Sequence, residues 1–332
     1  MNYRDLLLGI AIGDAFGAGV EFQERAWIRA NVDFTQFVNA RHLIDVPDAQ
    51  KALFTENYRP WDYTDDTEMT IGVVKALMDE RPFFEALLVE KWTTEYQNGI
   101  QEKGYGRNGH GSMRWFFSGE KTIEELRDFQ RNRPNPGNAP AMRAVPLGLV
   151  APDKINAYAA INAQATHPNI HAILSSQCIA RAAEYLLIKK GAPQNIIPYC
   201  LQNIPFNQAY QDYLCQVDEL DVYEKLSSAD FEILLGPQPI QEPYFLAGIH
   251  GLPSDSKYTA GAVLYILKQA KNTFDALKKS IYLGGDVDSV ASIATGIMGA
   301  IHGLDALPQF MLAAVEGKAY LEALAIQWEQ SC

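Results

Sequence analysis

Cysteine is scarce in this chain and carries no metal-binding pattern. Cys178, Cys200, Cys215 and Cys332 are the only four in 332 residues, and no two stand at a Cys-x-x-Cys spacing. That removes a thiolate zinc site and a disulfide-stapled scaffold, and it points to free thiols in a reducing cytoplasm. Positive charge is also short. The 28 Lys and Arg against 40 Asp and Glu leave a net charge of −12, a field that argues against nucleic acid and anionic membranes as partners. A phosphate-bearing ligand therefore has to be held locally, by backbone N–H groups, metals or single basic side chains. Long apolar runs are missing too: the stretch in MNYRDLLLGIAIGDAFGAG is broken by Asp14 and runs too short for a membrane span or a signal segment. Strand patterns are few. Residues 244–250 read as one short candidate strand without a partner, and there is no βαβ rhythm, fixed-period repeat or low-complexity run.

What is present is helical periodicity. It predicts helices over 4–18, 66–80, 83–97, 120–129, 139–150, 154–164, 169–190, 206–218, 257–271, 273–281, 288–302 and 309–328. The expectation is an all-α, multi-helical single domain over residues 1–332, with an irregular polar stretch from about 25 to 62. Polar glycine-bearing loops at 103–112 and 131–138 interrupt it, and long loops inside a compact domain are often functional.

Two acidic motifs open helices about two hundred and twenty residues apart: Thr64-Asp65-Asp66-Thr67 and Gly284-Gly285-Asp286-Val287-Asp288-Ser289. The first also reads as a plain capping signal, with Thr64 or Asp65 as N-cap and Glu68 in the first turn. The second is the more pointed. Its glycine pair permits a tight turn just before two carboxylates and a hydroxyl, and no Lys or Arg stands nearby in sequence to neutralise them. Carboxylates gathered from both motifs need a counter-charge, and hard oxygen donors of this kind suit Mg²⁺, Mn²⁺ or Ca²⁺ rather than zinc or copper. An EF-hand is excluded, because its twelve-residue pattern is missing.

Four more segments stand in order around these two: Gly13-Asp14-Ala15-Phe16-Gly17-Ala18-Gly19-Val20-Glu21, Lys103-Gly104-Tyr105-Gly106, Gly137-Asn138-Ala139-Pro140-Ala141-Met142-Arg143, and Thr166-His167. Together the six resemble the motifs of the ADP-ribosylglycohydrolase family across nearly the whole chain. The resemblance implies an all-α fold of the orthogonal-bundle type. It also implies a centre of two Mg²⁺ or Mn²⁺ ions held by Thr64, Asp65, Asp66, Asp286, Asp288 and Ser289. The activity it implies is hydrolysis at the anomeric carbon of the distal ribose in ADP-ribosyl adducts. Glu21, Asp65 and Asp286 would be the catalytic residues, and Gly104, Tyr105, Gly106, Gly137, Asn138 and His167 the substrate-binding ones. The partners implied are ADP-ribose or ADP-ribosylated proteins and small molecules, met by a cytoplasmic monomer. The chain departs from the family pattern at Ala139, where a second glycine is usual, at Ser289 in place of Thr, and in the polar run after Gly106.

The chemistry asks for a group that exchanges a proton, and Glu21 beside Phe22 is the candidate. Backbone N–H groups at Gly104, Gly106, Gly137 and Asn138, with Arg143, are candidates for a diphosphate. Tyr105, Trp115 and Phe117 are candidates for stacking on adenine. Two other readings stand beside this one. A two-metal phosphoesterase would usually draw on histidine, and the six histidines form no HxxxD or HD constellation. A non-catalytic, crystallin-like relative is opposed by retention of every expected ligand and of Glu21.

Overall fold

A computed structural model describes residues 1–43, 59–99, 113–244 and 247–331. Their secondary structure is helical, and no strand forms among them beyond two isolated bridges, Gln23 to Gly285 and Leu252 to Gly285. The α-helices run α1 (Tyr3–Val20), α2 (Arg25–Asn31), α3 (Asp65–Leu77), α4 (Glu85–Asn98), α5 (Arg114–Phe117), α6 (Ile123–Arg131), α7 (Ala139–Met142), α8 (Ile155–Gln164) and α9 (Ile170–Ala183). They continue with α10 (Ile196–Asn203), α11 (Gln208–Glu219), α12 (Ser228–Leu235), α13 (Ser256–Gln269), α14 (Thr273–Ile281), α15 (Asp288–His302), α16 (Gln309–Ala314) and α17 (Lys318–Ser331).

Short polar side chains set many of the starts. Asn2 caps α1, Asn207 α11, Asp255 α13 and Asn272 α14. Reciprocal capping boxes, Thr122 with Glu125 and Ser227 with Asp230, open α6 and α12, each satisfying backbone N–H groups that a helix start leaves orphaned.

The most extensive pairing joins the two ends of the chain, α1 against α15. Every residue of α1 from Asp5 to Val20 is buried, as is α15 from Asp288 to Gly299. Glycine makes this contact possible. A Cβ on Gly13 would fall 2.1 Å from the Ala291 carbonyl oxygen, and one on Gly17 would fall 2.4 Å from Asp288 Cα. The two backbones therefore touch directly. Around this pair α13 and α14 pack on α15, α17 packs on α1, and α8 packs with α9. One continuous apolar cluster runs through them.

Several predicted boundaries differ. The helix expected over 139–150 stops at Met142 and resumes as a 3₁₀ turn, Val145–Leu149, because Pro146 cannot continue an α-helical ladder. The 169–190 helix ends in a π-helical turn, Glu184–Ile188. There the buried Glu184 is gripped by Arg181 at 2.7 Å and the Tyr199 hydroxyl at 2.8 Å. The segment 309–328 divides at Gly317, whose φ is +64°. The stretch read as irregular from 25 holds α2, while α10 and α12 went unpredicted. The expected strand at 244–250 is overturned within its described part: residues 244 and 247–250 lie in turns and bends. No helix of the described residues is long and apolar enough to cross a membrane.

Candidate metal centre

The chain leaves α1 at Glu21, which is buried, and turns sharply at Phe22, where φ is +66°. That is an uncommon conformation for a bulky residue. Here a ladder of backbone hydrogen bonds enforces it. The Phe22 N–H donates to the Gly285 carbonyl (2.8 Å), and the Gly285 N–H donates to Gln23 (2.9 Å). On the other side Leu252 donates to Gly284 (2.8 Å) and accepts from Asp286 (2.8 Å). Gly284 and Gly285 have φ of +69° and +74°, and a Cβ on Gly285 would meet the Leu252 oxygen at 2.2 Å. Only glycine fits such a left-handed, clamped turn. Its product is proximity: Glu21, Asp286 and Asp288, all buried, bring carboxylate oxygens within 4.8 Å of one another.

The other acidic motif is docked by a residue that the motif reading passed over. Asp14 is completely buried and accepts four hydrogen bonds from the start of α3. They come from Thr64 N (2.9 Å), Thr64 Oγ1 (2.7 Å), Thr67 N (3.0 Å) and Thr67 Oγ1 (2.6 Å). The signal for it was available, since a lone carboxylate inside an apolar helix has to be satisfied by something. Thr64 caps α3 through the Asp66 N–H at 3.4 Å, so the capping reading holds alongside any ligand role. Asp65 is half-buried, Asp66 is buried, and Asp66 Oδ1 has no hydrogen-bond partner.

Burial, with the Asp288 charge next, pushes the Asp14 carboxyl up to about 6. Burial, followed by the charges of Asp288, Asp14 and Asp65, drives Asp66 well above the usual carboxylate range. Carboxylates crowded this way keep protons unless a cation takes their place. The donors are all oxygen, and an orphaned buried carboxylate oxygen points to the same want. The site therefore fits a hard divalent cation.

A polar rim supports the ligands. The Asn138 side-chain amide donates to Ser289 Oγ (3.1 Å) and Asp286 Oδ2 (3.4 Å), and the Ser254 hydroxyl donates to the same Asp286 oxygen. Asn138 thus reaches the acidic residues with its side chain, where a backbone donor to phosphate was expected. Ser254 carried no recognisable signal. His167 is buried, and its Nδ1 lies 2.8 Å from Thr166 Oγ1, which accepts from Arg143 Nη2 at 2.8 Å. Arginine only donates, so the Thr166 proton points at Nδ1 and the ring proton is assigned to Nε2. A Cβ on Gly137 would lie 3.4 Å from that nitrogen. Burial, then the Arg143 and Arg133 charges, hold His167 well below its usual range, so it is neutral.

Arg143 itself corrects an expectation. It is fully buried, donates to Asn162 Oδ1 (2.7 Å) and the Asn162 carbonyl (2.9 Å), and stacks 3.9 Å from the Trp92 ring centroid. It is a core residue, shut off from solvent and linked to His167 through Thr166. Replacing it with Met leaves buried acceptors unpaired, so Arg143→Met is expected to lower stability by about 3 kcal/mol, read as a fall in denaturant midpoint at constant m-value.

Phe117 stacks on Tyr96 (4.1 Å between centroids) and Trp115 meets Phe129 edge-on (5.2 Å). Gly104, Tyr105 and Gly106 lie outside the described residues.

The sequence pattern of the ADP-ribosylglycohydrolase family matches residues 2–331. Among known proteins the chain is similar to ADP-ribosylhydrolase ARH3 of Bos taurus, 23% identical over 98% of this chain and 91% of that protein. The ARH3 of Xenopus tropicalis is 25% identical over 95% and 91%. An uncharacterized protein of Archaeoglobus fulgidus is 24% identical over 98% and 94%. A solved structure titled ADP-ribosylglycohydrolase-related protein complex superposes with a TM-score of 0.62 at 21% identity, covering 99% of both chains, a likeness of fold. With its whole length matched and its six motifs in order, the chain belongs to the ADP-ribosylglycohydrolase family.

Proposed function

We propose that the protein is a metal-dependent hydrolase that cleaves the N- or O-glycosidic bond at the distal ribose of ADP-ribosyl adducts and releases ADP-ribose. The observation that carries this reading is the convergence of Glu21, Asp286 and Asp288 within 4.8 Å, beside Asp66 with its unpartnered oxygen. Thr64, Asp65, Asp66, Asp286, Asp288 and Ser289 would hold two Mg²⁺ or Mn²⁺ ions. Bound there, divalent ions supply Lewis acidity and orientation for ribose hydroxyls and water.

The chain's own groups do the rest. Glu21 gives a proton to the leaving nitrogen or oxygen as the glycosidic bond breaks. It takes a proton back from the attacking water as the new C–O bond forms at the anomeric carbon. Asp65 and Asp286, as ligands of such a centre, would set where the ribose and water lie. Asn138 fixes the Asp286 and Ser289 side chains, and the neutral His167 offers its Nε2–H near Gly137 to an oxygen of the substrate. Gly137 leaves room for that approach, while Gly104, Tyr105 and Gly106 would shape the far rim. The reading is of a monomer at work in a reducing cytoplasm.

The test is release of ADP-ribose from arginine-, serine-, O-acetyl- and polymer-linked substrates, with Mg²⁺, with Mn²⁺ and with chelator. Release from at least one linkage, abolished by chelation, is expected. Glu21→Gln is expected to slow turnover about 10²–10⁴-fold while calorimetry still records ADP-ribose binding. Normal turnover in that variant would move proton transfer to another group. No release from any linkage under any metal would leave the non-catalytic relative as the better reading.

A further inference from the structure

A cavity of about 540 Å³ opens between α2 and α14, lined by none of the acidic residues of the centre. Its walls oppose the character of the chain. Arg25, Arg29, Lys278 and Lys279 face two carboxylates, Glu224 and Asp275, and Lys279 alone engages both, at 3.1 and 2.7 Å. Among the described residues Arg25, Arg29 and Lys278 have no carboxylate within ion-pair distance. They rest on rings instead: Arg25 is 3.9 Å from the centroid of Phe231, Arg29 is 5.3 Å from Tyr282, and Lys278 is 4.6 Å from Phe274. Arg25 Nη1 is buried with no hydrogen-bond partner.

A buried guanidinium N–H without an acceptor is costly, and an oxyanion removes that cost. Three cations without an ion-pair partner among the described residues, gathered in a protein of net charge −12, make a local anion site against the overall field. The volume falls within the range of small-molecule pockets of about 300–1,000 Å³, more than a bare phosphate fills. The Tyr223 and Tyr282 rings in the wall provide aromatic surface for a planar base. We propose that this cavity binds a nucleoside monophosphate. Its phosphate sits among Arg25, Arg29 and Lys278, and its base lies against the tyrosines. Arg25, one wall of the cavity, packs by its backbone on the turn that precedes Asp286: a Cβ on Gly284 would meet Arg25 N at 2.6 Å.

The test is calorimetry on the full chain with two probes, AMP and inorganic phosphate. Wild type is expected to bind AMP saturably and more tightly than phosphate, with phosphate competing. The double substitution R29E/K278E removes two charge-assisted contacts and should weaken AMP about tenfold or more. Arg29→Gln with Lys278→Gln serves the same purpose with a smaller perturbation of charge. Asp286→Asn should leave AMP binding unchanged, which separates this site from the acidic centre. The proposal is overturned by absence of saturable AMP binding, by equal affinity for the two probes, by undiminished binding in both double variants, or by loss of AMP binding in Asp286→Asn.

Discussion

Asp286→Asn is expected to abolish ADP-ribosyl hydrolysis and leave the protein as stable as before, or more so, in the absence of metal. The backbone around Asp286 is held from both sides by Leu252 and by the Gly285 ladder to Phe22 and Gln23, so an isosteric side chain has no reason to disturb it. What changes is charge. Removing one carboxylate from a buried group that includes Glu21 and Asp288 relieves repulsion in the empty centre, while a divalent cation loses a ligand. Changes outside a ligand shell already weaken metal binding by about 10–100-fold, and loss of a ligand should exceed that. Thermal shift reads both effects together. The wild type should rise in Tm with Mg²⁺ or Mn²⁺ by mass action, and the variant should not. A variant that keeps the full metal-dependent rise would show that Asp286 is no ligand.

The second large effect is expected at a residue that touches no substrate. Gly13→Ala ordinarily favours a helix by about 1 kcal/mol. Here the added carbon would lie 2.1 Å from the Ala291 carbonyl oxygen and 2.5 Å from its carbon. These are backbone atoms in the first turn of α15, and they cannot rotate aside. Overpacking of this kind costs about 1–3 kcal/mol or more, so the clash outweighs propensity and the net change should be destabilising. Activity should fall further than stability, because prying α1 from α15 separates Asp14 from Asp288 and loosens the four hydrogen bonds that dock α3. Equal Tm and equal activity to wild type would mean that the helices do not cross this closely.

The distribution of what could be read in advance follows from where information is local. The all-α class came from periodicity. The acidic motifs, the glycine turn and Glu21 were visible as residue types in sequence. Breaks inside helices were less legible: the π-helical turn at Glu184 depends on Arg181 and Tyr199, a contact across elements that no local window contains. Arg143 looked like a phosphate ligand because a motif names residues without saying which way they face, and its partners, Asn162 and Thr166, lie on the next helix and its end. Asp14 stood inside a quoted motif, yet its partners lie fifty residues on. Ser254 gave no signal, since a serine in a loop is ordinary until its neighbour proves to be Asp286.

The close crossing of α1 and α15 also has a consequence in time. α1 leaves the ribosome well before its main partner, which begins about 270 residues later, roughly 15–50 s at common synthesis rates of about 5–20 residues per second. Throughout that interval a helix that is buried along nearly its whole length in the finished protein lacks the partner that covers most of it. Its glycine face offers little side-chain area for a wrong partner to grip, but its leucines and isoleucines do. Pairings of such sequence separation form late and slowly. The acidic centre is therefore among the last features to assemble, and newly made chains are most exposed to aggregation or capture by chaperones just before it forms.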